Sequence, residues 1–193
     1  MSMFLESPVA QGKIEVICGC MFSGKTEELI RRVKYANRKG LSTQVFKPEI
    51  DFRYQKNRIV SHNLNSLESI SIQNSEELLN HSQNHNIIAI DEAQFFDAKL
   101  VEVCKELSAQ NKRVILAALD MDFQGLPFGN MPSLIAAANL VTRLNAICNP
   151  CGKPATHTFK KIASQKLIEI GESDIYEARC RTCFDKGMRK KMD

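Results

Sequence analysis

The 193-residue sequence predicts an α/β fold: a mainly parallel sheet flanked by helices, with a small lobe appended at the C-terminal end. Three observations carry that prediction. A glycine-rich stretch, Gly19-Cys20-Met21-Phe22-Ser23-Gly24-Lys25-Thr26, stands between an apolar run and an amphipathic stretch at helical spacing. Two further runs, residues 87–90 and 113–119, are short, apolar or nearly so and end in acidic residues, and the second is too apolar for a strand with one wet face. Two Cys-x-x-Cys pairs, Cys148/Cys151 and Cys180/Cys183, bracket the segment 152–179.

Composition bounds the reading. A hydrophobic content of 44% is enough for a core in one domain with a small appendage. The net charge of +4 is too slight to argue for a nucleic-acid partner, although it suits anionic nucleotides. Residues 1–13 lack both a basic n-region and an apolar h-region, and no apolar run reaches membrane-spanning length, so a cytoplasmic protein is expected. Seven cysteines in a reducing compartment, an odd number, point to metal binding rather than a disulfide framework.

Each element follows from its local pattern. Ile14-Glu15-Val16-Ile17-Cys18 is a buried strand leading into residues 19–26, which match the phosphate-binding pattern G-x-x-x-x-G-K-[ST] at every fixed position. The glycines permit positive φ, so that successive N–H groups face an anion. Lys25 is placed to reach the β- and γ-phosphates and Thr26 to hold Mg²⁺. From Thr26 to Gly40 the chain is helical, with Leu29, Val33 and Ala36 on one face and Gly40 as the stop, and the helix start aims its dipole at the phosphates. A glycine turn without a ligand is the competing reading.

Residues 43–47 form a second strand that Pro48 closes, because proline lacks a ladder donor. Residues 49–66 are irregular and polar, with Asp51, Arg53, Lys56, Arg58 and His62, and make either a functional or a solvated loop. A short strand at 69–72 and a brief helix from Ser75 through Leu79 come next. The run 87–90 ends in Asp91-Glu92-Ala93-Gln94, as in strands that deliver an acid to nucleotide-bound Mg²⁺. Alone this is also ordinary strand-end chemistry; the glycine-rich loop upstream gives it weight. Asp97 caps a helix whose apolar side is Leu100, Val103, Cys104 and Leu107, which makes Cys104 a core residue.

Residues 113–119 are too apolar for a strand with a wet face and form a central strand ending at Asp120-Met121-Asp122-Phe123-Gln124-Gly125. Ligands bind at the carboxyl ends of such strands, so this loop belongs to the site. Pro132 opens a helix through Ala138, and residues 141–147 are the last strand of the sheet.

At Cys148 the composition changes. Cys148, Cys151, Cys180 and Cys183 have the spacing of a tetrahedral Cys₄ zinc site, and four thiolates leave no open position, so the Zn²⁺ is structural and stands in for a core. A thioredoxin-like redox pair is disfavoured because there are two pairs and neither precedes a recognisable helix. Cys18 and Cys20 read as packing and loop residues. The expected division is a nucleotide-binding domain at 1–147, a zinc lobe at 148–185 and a basic, disordered tail at 186–193, where nucleic-acid contact is the minor alternative.

In combination these motifs resemble the type II thymidine kinase family. The resemblance runs from about Gly12 to Phe184 and is carried by Met21-Phe22-Ser23 within the loop, Phe46-Lys47 with Asp51-x-Arg53-Tyr54, the stretch from Asp91 to Phe96, Leu119-Asp120-x-x-Phe123-x-Gly125-x-Pro127-Phe128-Gly129, and Ile170-Gly171 with Tyr176-Glu177-Ala178-Arg179-Cys180. Cys20 stands where the family often has Ser or Pro, and Cys183 where many bacterial members have His. The resemblance implies a RecA-like P-loop domain joined to a zinc-ribbon-like lobe with a lasso loop. It further implies ATP-dependent phosphorylation of thymidine, and of deoxyuridine, at the 5′-hydroxyl, giving dTMP and ADP in nucleotide salvage for DNA synthesis.

Residue by residue, it implies Glu92 as the general base and Mg²⁺ held between Thr26 and Asp91. ATP contacts would come from Gly19, Cys20, Met21, Phe22, Ser23, Gly24, Lys25 and Thr26 and from Asp91, Glu92, Ala93 and Gln94. Nucleoside contacts would come from Asp51, Arg53, Gln94, Phe95, Phe123 and Tyr176 and from the lasso residues Leu167, Ile168, Glu169, Ile170 and Gly171, whose backbone would read the pyrimidine edge. A homotetramer, feedback inhibition by dTTP and the absence of nucleic-acid or membrane partners are implied as well.

Without the resemblance, a P-loop beside a metal lobe also fits an ATPase whose metal lobe binds nucleic acid, or a non-hydrolysing nucleotide switch. Against the first, no stripe of basic and aromatic residues surrounds the cysteine pairs, where Phe159 and Phe184 are the only phenylalanines and Tyr176 the only tyrosine. The second would leave Glu92 idle. Turnover stimulated by a nucleoside, rather than by single-stranded nucleic acid, separates the classes.

Overall fold

A computed structural model describes residues 12–49, 58–60, 66–162 and 174–192. The chain runs β1 (Lys13–Cys18), α1 (Lys25–Arg38), β2 (Thr43–Pro48), a small antiparallel pair β3 (Arg58–Val60) and β4 (Ser66–Glu68), β5 (Ile70–Ile72), α2 (Glu77–His81), β6 (Ile87–Ile90), α3 (Leu100–Ala109), β7 (Arg113–Ala118), α4 (Met131–Ala137) and β8 (Leu140–Arg143). Six strands form one sheet in the order β5-β2-β6-β7-β1-β8, and every pairing is parallel. β7 therefore lies between the strand that leads into the glycine-rich loop and the strand that ends in Asp91, the central place its apolar sequence predicts.

Both faces of the sheet are covered, which is why β6 and, after Arg113, β7 can be apolar. Alternate residues of one face, Ile17, Val45, Ile87, Ala89, Ile115 and Ala117, pack under Leu29, Ile30, Val33 and Ala36 of α1. On the other face, Val16, Ile88, Ile90, Val114 and Leu116 meet Leu100, Val103, Cys104 and Leu107 of α3 and Met131 and Leu134 of α4. Glu15 breaks the apolar pattern of β1 and is nonetheless 1% exposed. Arg113 of β7 grips it with two hydrogen bonds of 2.8 and 2.9 Å, and Arg32 of α1 adds a third of 2.8 Å.

Two expectations are corrected. Residues 141–147 are not one strand: β8 stops at Arg143, and β9 (Ala146–Ile147) pairs antiparallel with β10 (Pro154–Ala155) in the C-terminal lobe. The cause lies next door, because β1 leaves the sheet after Cys18, the partner of Arg143, and β8 has no neighbour beyond that point. Residues 186–192 are not a disordered tail but the second half of α5 (Arg181–Met192). Phe184 and Gly187 turn inward against β11 (His157–Lys160) and β12 (Tyr176–Arg179), and the Lys191 ammonium donates to the Lys160 and Ile162 carbonyls. The pair Cys180/Cys183 thus stands at the start of a helix, Cys180 just before it and Cys183 in its first turn. Among the described residues no helix is long and apolar enough to cross a membrane.

Candidate active site

The glycine-rich loop opens at the carboxyl end of β1. Gly19 (φ 145°), Phe22 (φ 65°) and Gly24 (φ 84°) all take positive φ, the backbone habit that turns consecutive N–H groups inward as an anion cradle. A side chain at Gly19 is excluded outright, since a Cβ there would stand 2.3 Å from the Leu144 carbonyl oxygen. Ser23 Oγ is buried within the loop and has no hydrogen-bond partner among the described residues, a donor left for a ligand oxygen. Lys25 begins α1 and donates to the Cys20 carbonyl at 2.8 Å. Burial pushes its pKa down, while the charges of Glu92, Asp91 and Asp120 pull in the opposite direction. These features suit a polyphosphate: main-chain donors, a spare hydroxyl and a cation among carboxylates.

Thr26 and Asp91 meet directly. The Thr26 hydroxyl donates to the Asp91 carboxylate, 3.1 Å from Oδ2 and 3.3 Å from Oδ1. One hydroxyl and one carboxylate are the hard oxygen donors that Mg²⁺ prefers. The next residue, Glu92, takes a left-handed conformation at φ 52°, and its N–H donates to Asp91 Oδ1 at 3.0 Å. A non-glycine residue held so costs about 1–3 kcal/mol, and such strain clusters at functional sites. The 3₁₀ turn Ala93–Phe95 follows, with Gln94 buried at 3% exposure and hydrogen-bonded to Glu92.

The loop after β7 supplies a third wall. Asp122 Oδ1 accepts from the N–H groups of Gln124 and Leu126, which shapes the turn and presents Phe123 to the C-terminal lobe. There the Lys160 ammonium, on a side chain 2% exposed, lies 4.9 Å from the Phe123 ring centre and 5.9 Å from that of Tyr176. Asp120, at the end of β7, is ion-paired with Arg143 of β8, and its Oδ1 is buried without a hydrogen-bond partner among the described residues. The glycine-rich loop itself leans on the lobe: Cys20 Sγ donates to the Ala155 carbonyl at 3.4 Å, and the Met21 N–H donates to Thr158 Oγ1 at 3.0 Å.

Cys148, Cys151, Cys180 and Cys183 converge, their four sulfur atoms all within 4.8 Å of one another, the one such group among the described residues. A zinc ion with four Zn–S bonds of about 2.3 Å demands sulfur–sulfur edges of about 3.8 Å. Cys151 and Cys180 already stand 3.7 Å apart. The Cys183 main-chain N–H and neighbouring thiols hold Cys180 down at about 7, so one thiolate forms readily for a metal. That cluster, rather than the absence of a helix, disfavours the redox reading.

The structure brings Gly19 through Thr26 together with Asp91, Glu92 and Gln94, as the sequence predicts. Gln94 differs in detail, because its amide engages protein groups at both ends. Phe95 meets Phe128 edge to face at 5.5 Å, and Phe123 and Tyr176 converge on Lys160. Asp51, Arg53, Leu167, Ile168, Glu169, Ile170 and Gly171 lie outside the described residues. Sequence reasoning missed Asp120, Arg143, Thr158 and Lys160 as individual residues. Asp120 has a signal, an acid ending an apolar strand as Asp91 does; the other three have none, since only the sheet brings Arg143 beside Asp120 and only the folded lobe brings Thr158 and Lys160 to the loops.

The family model described as thymidine kinase matches residues 12–184. A thymidine kinase of Bacteroides fragilis is 46% identical over 180 residues, 93% of this chain and 90% of that one. That of Porphyromonas gingivalis is 46% identical over 178 residues, covering 92% and 87%, and that of a Rhodothermus species 47% over 173 residues, covering 90% and 81%. Among solved structures, domain III of the Thermotoga maritima replication initiation protein DnaA shares 18% identity at a TM-score of 0.43, over 71% of this chain and 57% of that one, too slight a likeness to bear on function.

Proposed function

The chain belongs to the thymidine kinase family, and on that premise we propose that it transfers the γ-phosphoryl group of ATP to the thymidine 5′-hydroxyl with Glu92 as the general base. The observation that supports this most is the convergence of Lys25, Thr26, Asp91 and Glu92 at the carboxyl edge of the sheet. Phosphoryl transfer asks a protein for positioning and charge neutralisation more than for covalent chemistry. The loop N–H groups and Lys25 hold the phosphates. Thr26 and Asp91 would hold Mg²⁺, which would supply charge neutralisation to the phosphates. Glu92 orients the 5′-hydroxyl and accepts its proton as the oxygen attacks phosphorus, and ADP leaves.

Phe95, Phe123 and Tyr176 enclose the base, and residues 167–171 read its edge through the main chain. Asp51 and Arg53 act near the phosphates. The four cysteines hold a structural Zn²⁺. Deoxyuridine as a second substrate, a cytoplasmic homotetramer and dTTP inhibition belong to the same proposal and are supported by family membership.

Thymidine-dependent ADP formation by Glu92→Gln tests it. The variant should bind ATP normally and lose about 100- to 10,000-fold in kcat; near-normal turnover would remove Glu92 as the base. Main-chain reading of the base predicts kcat/KM for deoxycytidine about 100-fold or more below that for thymidine, because a backbone N–H cannot turn into an acceptor. Comparable efficiencies would contradict it.

A further inference from the structure

Gln94 is buried beside the acidic pair, and both ends of its amide are engaged. Its Oε1 accepts from the main-chain N–H of Leu119, just past β7, at 3.0 Å. That partner can only donate, so the amide cannot be turned over, and Nε2 must face Glu92, where it donates to Oε2. The turn that carries Gln94 is itself clamped. A Cβ at Gly129 would stand 2.9 Å from the Gln94 carbonyl oxygen, and Asn130 Nδ2 donates to the carbonyls of Phe96 and Asp97 at 3.3 and 2.6 Å.

We propose that Gln94 is a positioning residue for Glu92, taking its orientation from the end of β7 and passing it to the carboxylate. The inference rests on the reading of Glu92 as the base, and it replaces the expected contact of Gln94 with nucleoside or ATP. An amide donor held at its far end by the main chain fixes which way the carboxylate points. Among the described residues, Lys25 from α1 feels the charge of that carboxylate together with those of Asp91 from the end of β6 and Asp120 from the end of β7.

Gln94→Leu keeps the bulk but removes both the acceptor toward Leu119 and the donor toward Glu92. Steady-state kinetics at about pH 7.5 should show kcat down about 10-fold with KM for thymidine and ATP within about 3-fold, because the aim of Glu92 is lost and not a substrate contact. Gln94→Glu keeps side-chain length and the acceptor toward Leu119 but replaces the donor with an oxygen that faces Glu92; it should lose at least as much kcat with as little change in KM, and it decides the matter if Gln94→Leu does not fold. An unchanged kcat with KM for thymidine raised about 10-fold would make Gln94 a nucleoside contact. Unchanged kcat and KM with only the melting temperature lowered would make it merely structural; either result overturns the proposal. Glu92→Gln run in parallel separates the two readings: active Glu92→Gln defeats the base assignment, whereas inactive Glu92→Gln with unchanged kcat in the Gln94 variants defeats this one alone.

Discussion

One carboxylate, Glu15, is sealed within the sheet among Arg113, Arg32 and Lys13, and its acidity records that company. Burial alone would raise its pKa, but the hydrogen bonds and charge of Arg113, joined by Lys13, outweigh burial and hold it at about 2, against an ordinary 4.5. A folded-state pKa below the unfolded one means stability that is complete above about 4.5 and disappears as pH falls toward about 2; the shift corresponds to about 3 kcal/mol. Urea midpoints at pH 7, 4 and 2.5 should trace that loss. Glu15→Gln should flatten the trace and cost about 3–5 kcal/mol at pH 7, because two guanidinium groups would be left facing a neutral amide. In the sequence Glu15 is one polar letter in an apolar strand. Its two arginine partners lie 17 and 98 residues away, so nothing local reveals whether it is an anchor or an edge.

Among the elements, α5 shows why sequence pattern fell short. Lys186, Arg189, Lys190 and Lys191 give it the look of a solvated tail, and Gly187 reads as a breaker, yet that glycine is where the helix comes closest to the lobe. A Cβ at Gly187 would stand 1.9 Å from Arg179 Nη1 and 2.8 Å from Phe159 Cε2. Arg179 has little freedom to yield: its guanidinium lies 3.4 Å over the Phe159 ring and donates to Glu177 and to the Cys183 carbonyl. Gly187→Ala should therefore destabilise the lobe by about 1–3 kcal/mol and speed metal transfer to a chromogenic chelator, whereas Lys190→Ala, on the exposed side, should do neither. By contrast β6, β7, α1 and α3 were legible because each buries a full face or stripe, which leaves an unbroken apolar signature. The division between β8 and β9 was not, because it depends on where β1 leaves the sheet.

At the scale of the molecule, the sheet, the glycine-rich loop and the cysteine cluster are all written in the sequence, since each rests on residue types that tolerate few substitutes. The strand order and the meeting of loop and lobe are not written there. Elemental analysis should find one zinc per chain, and stripping it should loosen residues 148–192 in hydrogen exchange while the parallel sheet stays protected. Because Cys20 and Met21 lean on the lobe, metal loss should also weaken ATP binding, about 5-fold for each hydrogen bond released, measured by calorimetry. Unchanged ATP affinity in the stripped protein would show that the loop stands without its support.

Those two loop contacts span 135 and 137 residues of chain. During synthesis at about 5–20 residues per second, residues 19–26 emerge roughly 7 to 30 s before Ala155 and Thr158 exist to receive them. ATP is thus a poor ligand for stabilising the nascent chain in that interval, and the loop is completed only once residues 155–158 have been made. A chain stopped anywhere between Thr26 and Ala155 holds every fixed residue of the glycine-rich loop and lacks the far wall that supports it.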